Sequence, residues 1–415
     1  MKKVIDSLIN KRKFVLKAEG SSMRPFLLPK DVIYYHKVTF RNCCINDIVL
    51  IKKNSLLLTH RIIYKNKYYL ITKGDNNLKS DGKIYPKQII AKAYRIKRNG
   101  QIFSHENLYL LQSTLYFQEI VKVKKAFERE KIDFVFLKGL PLHLYYEKSH
   151  PRRLYADTDI LIKRTQAKTI EQILIELGYR ETIVPLANIG PIFKGNKDEF
   201  SFIKKINNIF VVIDVHTEAV FTITKIGNLN SLYPRNYNVA LTDRLLNEKI
   251  RVTINGQIFP ILNANNLFIY LALHFFNHNF HGSFRLELIE QLIRKSNIDW
   301  EKVAELINKY KLNNFIYPVI IFIKRYYKTK FSTMFINSIN SAKTKNVSSI
   351  LKINIFDDES RIQTGVNRFK NLFLLSPNPL WIRFFIFLNL RVLYSILWVT
   401  IRKLNSKISG ICLEY

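Results

Sequence analysis

The first hundred residues alternate between short apolar runs and polar breakers. The apolar runs are rich in β-branched and aromatic residues, which favour pleated strands, and the clearest cover residues 31–35, 47–51 and 68–71. Residues 98–101 (Arg-Asn-Gly-Gln) indicate a turn at the edge of this region. The pattern therefore predicts a small, mostly-β module over residues 1–104.

From residue 108 the apolar positions take helical spacing, which continues to residue 129. Further on, the sequence predicts buried strands over residues 134–137, 159–162 and 210–214 and a helix over residues 169–177. Such alternation indicates an α/β domain, and the pattern is mostly helical from about residue 264. We expect a multidomain α+β protein with an α/β catalytic core over residues 105–260 and a helical C-terminal region over residues 261–415.

The chain is strongly basic, with 66 Lys and Arg against 32 Asp and Glu and a formal net charge of +34 over 415 residues. This charge suits nucleic acid, an anionic membrane surface or a nucleotide substrate. Richness in Lys, Ile, Asn, Phe and Tyr is also typical of an AT-rich genome, which by itself inflates the Lys content. Because the basic residues are dispersed, nucleic acid is not the favoured partner.

Cysteine usage and the N-terminus bear on the compartment. Cys43, Cys44 and Cys412 form no CxxC pair, which argues against a zinc site or a disulfide framework. Residues 1–20 contain Lys and Arg throughout and no long apolar run, so we expect no secretory signal and no membrane anchor before Ser22. A cytoplasmic location is predicted.

Residues 380–401 are almost wholly apolar, with Arg383 and Arg391 inside the run. A helix that packs within the protein is favoured over an interfacial membrane helix, in which Trp381 would suit the lipid–water boundary. A spanning helix is least favoured, because Arg391 near its centre would cost about 3 kcal/mol. Peripheral contact with the inner face of the membrane is the alternative location that this segment leaves open.

Two sets of residues suggest chemistry, and the first has the parts of a serine hydrolase. Such an enzyme needs a nucleophile, a base that removes its proton and a group that orients the base. Ser22 lies in a turn-like stretch between Gly20 and Pro25, and His60 follows an apolar run. Asp81 or Asp75 would orient the imidazole. An inert β-barrel with a loop serine and a strand-end histidine is the alternative.

The second set has the carboxylates of a metal site. Asp157 and Asp159 alternate on a predicted strand and so face the same side, and Asp214 ends another strand, two residues before His216. If the two strands are neighbours, the three carboxylates converge and suit Mg²⁺ or Mn²⁺. The turn at Lys138-Gly139 opens a helix whose backbone N–H groups favour phosphate, and Lys138 and Arg153 add positive charge. These two cations and Gly139 are the predicted nucleotide-binding residues.

A family resemblance supports the first set. Gly20-x-Ser-Met-x-Pro25, Asn46-Asp-Ile-Val49, His60-Arg-Ile62 and Thr72-Lys-Gly-Asp-Asn-Asn77 together resemble the type I signal peptidases of family S26, in the archaeal and endoplasmic-reticulum branch, over residues 15–98. The resemblance implies Ser22 as nucleophile, His60 as base, Asp81 as orienting acid and Asp75 as supporting acid. Members of that branch carry an N-terminal membrane helix, which this sequence does not show.

The second set resembles the DNA polymerase β-like nucleotidyltransferases, over residues 108–310. Leu137-Lys-Gly139, then Arg153-x-x-x-Asp-x-Asp159 and Asp214-Val-His216 match an uncharacterised bacterial branch, as do spaced histidines at 274, 278 and 281. The superfamily's usual Gly-Ser pair is Gly139-Leu140 here. His274 and His278 have a spacing that could bind zinc, but packing or substrate contact is favoured because no acidic ligand lies between them.

These resemblances predict a fusion of a serine peptidase module with a Mg²⁺-dependent nucleotidyltransferase. The leading function is transfer of a nucleoside monophosphate from an NTP to an acceptor, with cleavage of a peptide or protein as the second activity. Maturation of a ribosomally made precursor peptide would explain the pairing. The alternatives are a non-catalytic protein that binds nucleotide and peptide, and a toxin-like nucleotidyltransferase that modifies tRNA or protein.

Overall fold

The computed structural model describes residues 12–24, 26–54, 56–148, 155–182, 199–206, 209–219, 229–340, 345–390 and 392–394. Within this part of the chain there are two β-sheets and a helical region, and the N-terminal part is mostly β. The protein is therefore a multidomain α+β protein, as the sequence predicts.

The N-terminal sheet is antiparallel throughout, in the order β1-β2-β7-β3-β4-β5-β6, with β8 paired to β7. Its strands are β1 (Lys13–Lys17), β2 (Val32–Lys37), β3 (Ile48–Lys53), β4 (Leu56–Lys65), β5 (Leu70–Lys73), β6 (Lys83–Ile84), β7 (Ile89–Arg98) and β8 (Gln101–Phe103). The three strands predicted here are present, displaced by one or two residues. The predicted turn joins β7 to β8, with Asn99 and Gly100 both at positive φ, so the sheet continues to Phe103.

The second sheet is mixed, in the order β11-β12-β13-β10-β9-β15-β14. Its strands are β9 (Phe134–Lys138), β10 (Thr158–Ile162), β11 (Arg180–Glu181), β12 (Glu199–Ile206), β13 (Ile209–His216), β14 (Ile250–Ile254) and β15 (Gln257–Ile261). β10 runs parallel to β13, with Asp159 opposite Asp214, and antiparallel to β9, with Asp159 opposite Lys138. The end of β9, the start of β10 and the end of β13 are therefore neighbours in the middle of the sheet.

Twelve α-helices lie within the described part of the chain, supplemented by short 3₁₀ turns. They are α1 (His105–Arg129), α2 (Leu140–Tyr146), α3 (Ala167–Glu176), α4 (Arg235–Asn247), α5 (Ala264–Asn277), α6 (Ser283–Lys295), α7 (Trp300–Lys309), α8 (Asn313–Tyr327), α9 (Thr333–Ile339), α10 (Lys345–Ile350), α11 (Arg361–Leu375) and α12 (Leu380–Phe384). Ser104 caps α1 by accepting a hydrogen bond from the Asn107 N–H. From α5 onward every strand or helix in the described part of the chain is a helix, so the region is mostly helical, as predicted.

One large apolar core joins the second sheet to the helical region, and it also includes Tyr64 and Ile71 of the N-terminal sheet. The Tyr64 hydroxyl donates to the Tyr326 carbonyl oxygen at 2.7 Å, and the Ser283 hydroxyl donates to the Ile63 carbonyl oxygen at 3.0 Å. The β4–β5 side of the N-terminal sheet is thus packed directly on α6 and α8.

An acidic segment, residues 357–359, strengthens this contact. The Asp357 carboxylate accepts hydrogen bonds from the Ser80 N–H at 2.9 Å and from the Ser80 hydroxyl at 3.0 Å, and it pairs with Lys79 at 3.1 Å. Asp358 pairs with Lys73. The loop from β5 to β6 is therefore held by the C-terminal region.

Asp357→Ala is expected to lower the free energy of unfolding by about 1–3 kcal/mol, because it leaves the Ser80 N–H without its acceptor. Lys79→Ala removes only the exposed partner of the same carboxylate and should change stability by less than about 1 kcal/mol. Denaturant unfolding of the two variants beside wild type measures the difference. Equal effects would mean that Asp357 acts only through the surface ion pair.

The apolar C-terminal segment does not form the single helix expected over residues 380–401 in its described part. Helix α12 ends at Phe384 and a 3₁₀ turn covers Phe385–Leu388. Residue 391 and residues 395–401 lie outside the described residues. Trp381, Leu388 and Leu390 are exposed. No helix within the described residues combines the length and apolar character needed to cross a membrane.

Candidate active sites

The loop between β1 and β2 carries Ser22 and is fixed by the loop that follows β5. The Ser22 carbonyl oxygen accepts a hydrogen bond from the Asn76 N–H at 2.8 Å. A Cβ at Gly74 would lie 2.6 Å from the same oxygen. Only glycine allows this approach, so the Gly74-Asp75-Asn76 turn sets the position of the serine.

Ser22, His60 and Asp81 form a continuous hydrogen-bonded chain. His60 projects from the middle of β4, and its Nε2 lies 2.9 Å from the Ser22 Oγ. Its Nδ1 lies 2.7 Å from the Asp81 Oδ2. The Thr72 hydroxyl donates to the same carboxylate oxygen at 2.6 Å, and Lys53 donates to the Asp81 backbone carbonyl. The imidazole is buried, and a hydrogen bond at each of its two nitrogen atoms fixes its orientation.

Asp75, the predicted supporting acid, lies in a different interaction. Its carboxylate forms a two-point ion pair with Arg61, at 2.8 Å to Nε and 2.6 Å to Nη2. Arg61 Nη1 also donates to the Tyr109 hydroxyl at 2.5 Å. Because Arg61 follows His60 on an alternating strand, the two side chains leave opposite faces of the strand. The structure therefore brings Asp81 to the histidine and leaves Asp75 to brace the turn.

Gly74→Ala is expected to abolish reaction of Ser22 with a serine-directed fluorophosphonate while every member of the triad remains. The added methyl group must push the Ser22 backbone away, and overpacking of this kind costs about 1–3 kcal/mol. Gly20→Ala is the matched control, because a Cβ there meets nothing within 4 Å. Fluorophosphonate labelling followed on a gel compares them. Normal labelling of Gly74→Ala would show that the loop position does not matter.

The second site lies where β9 and β13 end and β10 begins. Oxygen atoms of Asp157, Asp159 and Asp214 all lie within 4.8 Å of one another. The Lys138 Nζ lies 3.2 Å from the Asp157 Oδ2 and 3.1 Å from the Asp159 Oδ2. The His216 Nε2 lies 2.9 Å from the Asp159 Oδ1. The predicted convergence of the three carboxylates is thus present, although β10 begins at Thr158 and Asp157 precedes it.

The electrostatics of the three carboxylates differ. Burial, reinforced by Asp159, raises the pKa of Asp214 to about 7 and also raises the pKa of Asp157. Burial would likewise raise the pKa of Asp159, but Lys138 and the hydrogen bond with His216 keep it below its ordinary value. The three carboxylates together therefore have less positive charge beside them than they need to be fully ionised.

The carboxylate cluster suits a divalent ion. The Asp214 Oδ1 is buried and has no hydrogen-bond partner among the described residues. An unpaired buried carboxylate oxygen is costly, and Mg²⁺ and Mn²⁺ both prefer oxygen ligands of this type. Nucleotidyltransferases typically use a divalent metal, and the donor set here fits one.

The turn at Lys138-Gly139 adjoins the carboxylates. Gly139 has φ of +107°, a conformation that favours glycine, and it precedes α2. A Cβ there would lie 3.4 Å from the Thr158 backbone, so the turn packs closely on β10. Arg153, the other predicted phosphate-binding residue, lies outside the described residues.

Helix α5 and the turn after it supply residues near this site whose role the sequence pattern did not specify. The rings of His274 and His278 lie 4.7 Å apart. Burial lowers the pKa of both histidines well below the ordinary value, and for His274 the positive charge of Lys138 adds to the effect. Arg285 follows at the start of α6. Sequence reasoning missed Arg368, on α11, because nothing near it in the chain signals a site.

A model of the family described as "Uncharacterised nucleotidyltransferase" matches residues 99–328, which is more than half of the chain. The matched region begins at the end of the N-terminal sheet and contains the whole carboxylate cluster. The chain therefore belongs to this nucleotidyltransferase family. Searches of curated proteins and of solved structures returned no match.

Proposed function

We propose that this protein transfers a nucleoside monophosphate from an NTP to an acceptor in a Mg²⁺- or Mn²⁺-dependent reaction. The observation that carries the proposal is the convergence of Asp157, Asp159 and Asp214 within a family of nucleotidyltransferases. These three carboxylates would hold the ion, which when bound polarises phosphate oxygens and neutralises their charge.

The residues around the carboxylates have distinct roles in this proposal. His216 orients Asp159 through their hydrogen bond. Lys138 pairs with Asp157 and Asp159. With an ion held by these carboxylates, the Lys138 ammonium would be free to bind a phosphate of the nucleotide beside the Gly139 turn. Arg153 is proposed as a further phosphate-binding residue from the sequence alone.

Thermal unfolding of the protein with each of the four NTPs, with and without Mg²⁺, tests this function. A nucleotide that binds only the folded protein raises its melting temperature, and we expect a rise that requires Mg²⁺. Incorporation of radiolabel from the stabilising [α-³²P]NTP into protein or RNA then identifies the acceptor class, and incorporation into tRNA would favour the toxin-like alternative. Absence of a Mg²⁺-dependent rise with every NTP would contradict the proposal.

We also propose a second activity, serine endopeptidase cleavage of a peptide or protein, which the Ser22–His60–Asp81 hydrogen bonds favour. The Ser22 Oγ would attack the scissile carbonyl carbon while its proton passes to the His60 Nε2 and then to the leaving amine. Water would hydrolyse the resulting ester by the same route. Asp81 accepts the Nδ1 proton's hydrogen bond and stabilises the imidazolium.

Both activities on one chain would fit maturation of a ribosomally made precursor peptide, which is the hypothesis that explains their pairing. A short peptide encoded beside the gene would be the substrate to test. Mass spectrometry should then detect a cleaved peptide and, with Mg²⁺ and NTP, the added mass of a nucleoside monophosphate. A peptide that gains neither change would separate the protein from this pathway.

A further inference from the structure

Four residues form what we call the basic wall: His274, His278, Arg285 and Arg368. The wall is built from α5, the start of α6 and α11, and α5 packs against β9, the strand that ends in Lys138. Tyr270 and His274 lie one turn apart on α5. Burial first, and then the charges of Asp159 and Asp157, raise the pKa of Tyr270. Two wall residues are affected in the same way, since the charge of Asp157 opposes the lowering of the Arg285 pKa and the charge of Lys138 contributes to the lowering of the His274 pKa. Together with the packing of α5 on β9, these effects indicate that the wall adjoins the carboxylate cluster.

The two guanidinium groups of the wall lack an ionic partner. Arg285 Nη1 donates weakly to the His281 carbonyl oxygen at 3.3 Å, its guanidinium lies 4.3 Å from the Phe284 ring, and its Nε is buried without a hydrogen-bond partner. Arg368 donates from Nε to the Asn277 carbonyl oxygen at 2.6 Å. Within the described residues no carboxylate lies within 4.0 Å of either guanidinium.

Three other half-buried arginines of the described residues are paired with carboxylates, whereas Arg383 donates to three backbone carbonyl oxygens. Arg61 pairs with Asp75, Arg98 with Asp31 and Arg164 with Glu218, all at 2.6–2.9 Å. Burying an unpaired guanidinium is unfavourable. Burial also lowers the pKa of Arg285 to about 10, although Asp358 and Asp157 oppose that shift. The wall thus has unsatisfied hydrogen-bond donors and excess positive charge. An anionic ligand would supply the missing acceptors and neutralise the charge.

The turn before α6 leaves space for Arg285. Gly282 has φ of +85°, and a Cβ at that position would lie 2.3 Å from the Arg285 Nη1. The Arg285 guanidinium therefore lies directly over Gly282. The pKa values of the two half-buried histidines beside it are lowered, which favours the neutral imidazole, and each then offers an N–H donor without adding charge.

We infer that the basic wall binds the β- and γ-phosphates of the NTP, the part that leaves as pyrophosphate, with Arg285 as the principal contact. The forked donors of arginine match phosphate oxygens. A triphosphate is favoured over a polynucleotide backbone because the wall adjoins the carboxylates, so that one phosphate chain would contact both. This inference rests on the proposed nucleotidyl transfer and adds a specificity determinant to it.

The test compares binding of an NTP with binding of the matching NMP, by calorimetry in Mg²⁺, for wild type and Arg285→Gln. We expect the variant to bind NTP about 10- to 100-fold more weakly, while NMP binding changes by less than about threefold. Arg294→Gln is the matched control on the same helix, because Arg294 is exposed and pairs with Glu290. It should leave both affinities unchanged.

Binding of Mn²⁺ alone, followed by electron paramagnetic resonance, shows whether the variant retains the carboxylate cluster. If Arg285→Gln loses Mn²⁺ binding, the comparison is repeated with Arg285→Lys. The expected result is again weaker binding of NTP with little change in the binding of NMP. Equal weakening of NTP and NMP, or weakening of neither, overturns the inference and leaves nucleotidyl transfer standing. A wild-type protein that binds no NTP in Mg²⁺ overturns the proposed transfer itself.

Discussion

Asp214→Asn is expected to abolish nucleotidyl transfer while the fold remains intact. Mutation of residues that merely support a metal ligand typically reduces activity or metal affinity about 10- to 100-fold, so loss of a ligand should exceed about 100-fold. The stabilisation of the protein by Mg²⁺ and NTP should disappear at the same time. Radiolabel transfer and thermal unfolding measure the two effects on the same samples.

The same variant should be more stable than wild type when metal is removed by a chelator. The pKa of Asp214 is raised from an ordinary value of 3.8 to about 7 in the folded protein, by burial and by Asp159. Between about pH 4 and pH 7 the folded state then binds more protons than the unfolded state, so wild-type stability falls as the pH rises through this window. Asparagine does not titrate, and its amide removes the repulsion.

A pH series of melting temperatures in chelator tests this. Near pH 4 the two proteins should unfold at similar temperatures, and above pH 7 Asp214→Asn should unfold several degrees higher. Asp243→Asn, at an exposed position of α4, is the control and should follow wild type at every pH. Transfer activity retained by Asp214→Asn, or a melting temperature that falls below wild type above pH 7, would argue against a metal-binding carboxylate cluster.

Local patterns predicted much of the fold because the relevant signals are short-range. The apolar runs before Lys138 and Asp214 fix buried strands, and the regular spacing after residue 108 fixes α1. The Asp-x-Asp pair could be placed on one face from the period of a strand alone. The parallel pairing of β10 with β13 depends on tertiary structure. From the sequence, the convergence of the three carboxylates could be predicted only if these two strands were assumed to be neighbours.

Long-range contacts explain what the sequence did not reveal. Asp75 and Asp81 are both near the histidine along the chain, and only the course of the β5–β6 loop decides that Asp81 reaches His60 while Asp75 meets Arg61. Arg368 joins the basic wall from α11, far along the chain from Arg285. No periodicity or motif encodes such pairings, because they depend on how α11 packs against the end of α5.

Ser22→Ala is expected to eliminate fluorophosphonate labelling and peptide cleavage. Removal of one member of a Ser/His/Asp triad typically reduces turnover by about 10⁴- to 10⁶-fold. His60→Ala should lose activity to a similar degree. Asp81→Asn should lose somewhat less and keep the fold, because the amide can still contact Thr72 and His60 but cannot stabilise an imidazolium.

Two controls separate chemistry from a general change in the N-terminal sheet. Ser21→Ala alters the exposed neighbour of the nucleophile and should label like wild type. Asp75→Asn weakens the pairing with Arg61, so it should lower stability by about 1–3 kcal/mol yet retain labelling at temperatures where it is folded. Because Asp81 alone contacts the imidazole, this contrast between the two aspartates is the sharpest consequence of the geometry. Labelling that survives Ser22→Ala, or that depends on Asp75 as strongly as on Asp81, would exclude the triad as the reactive centre.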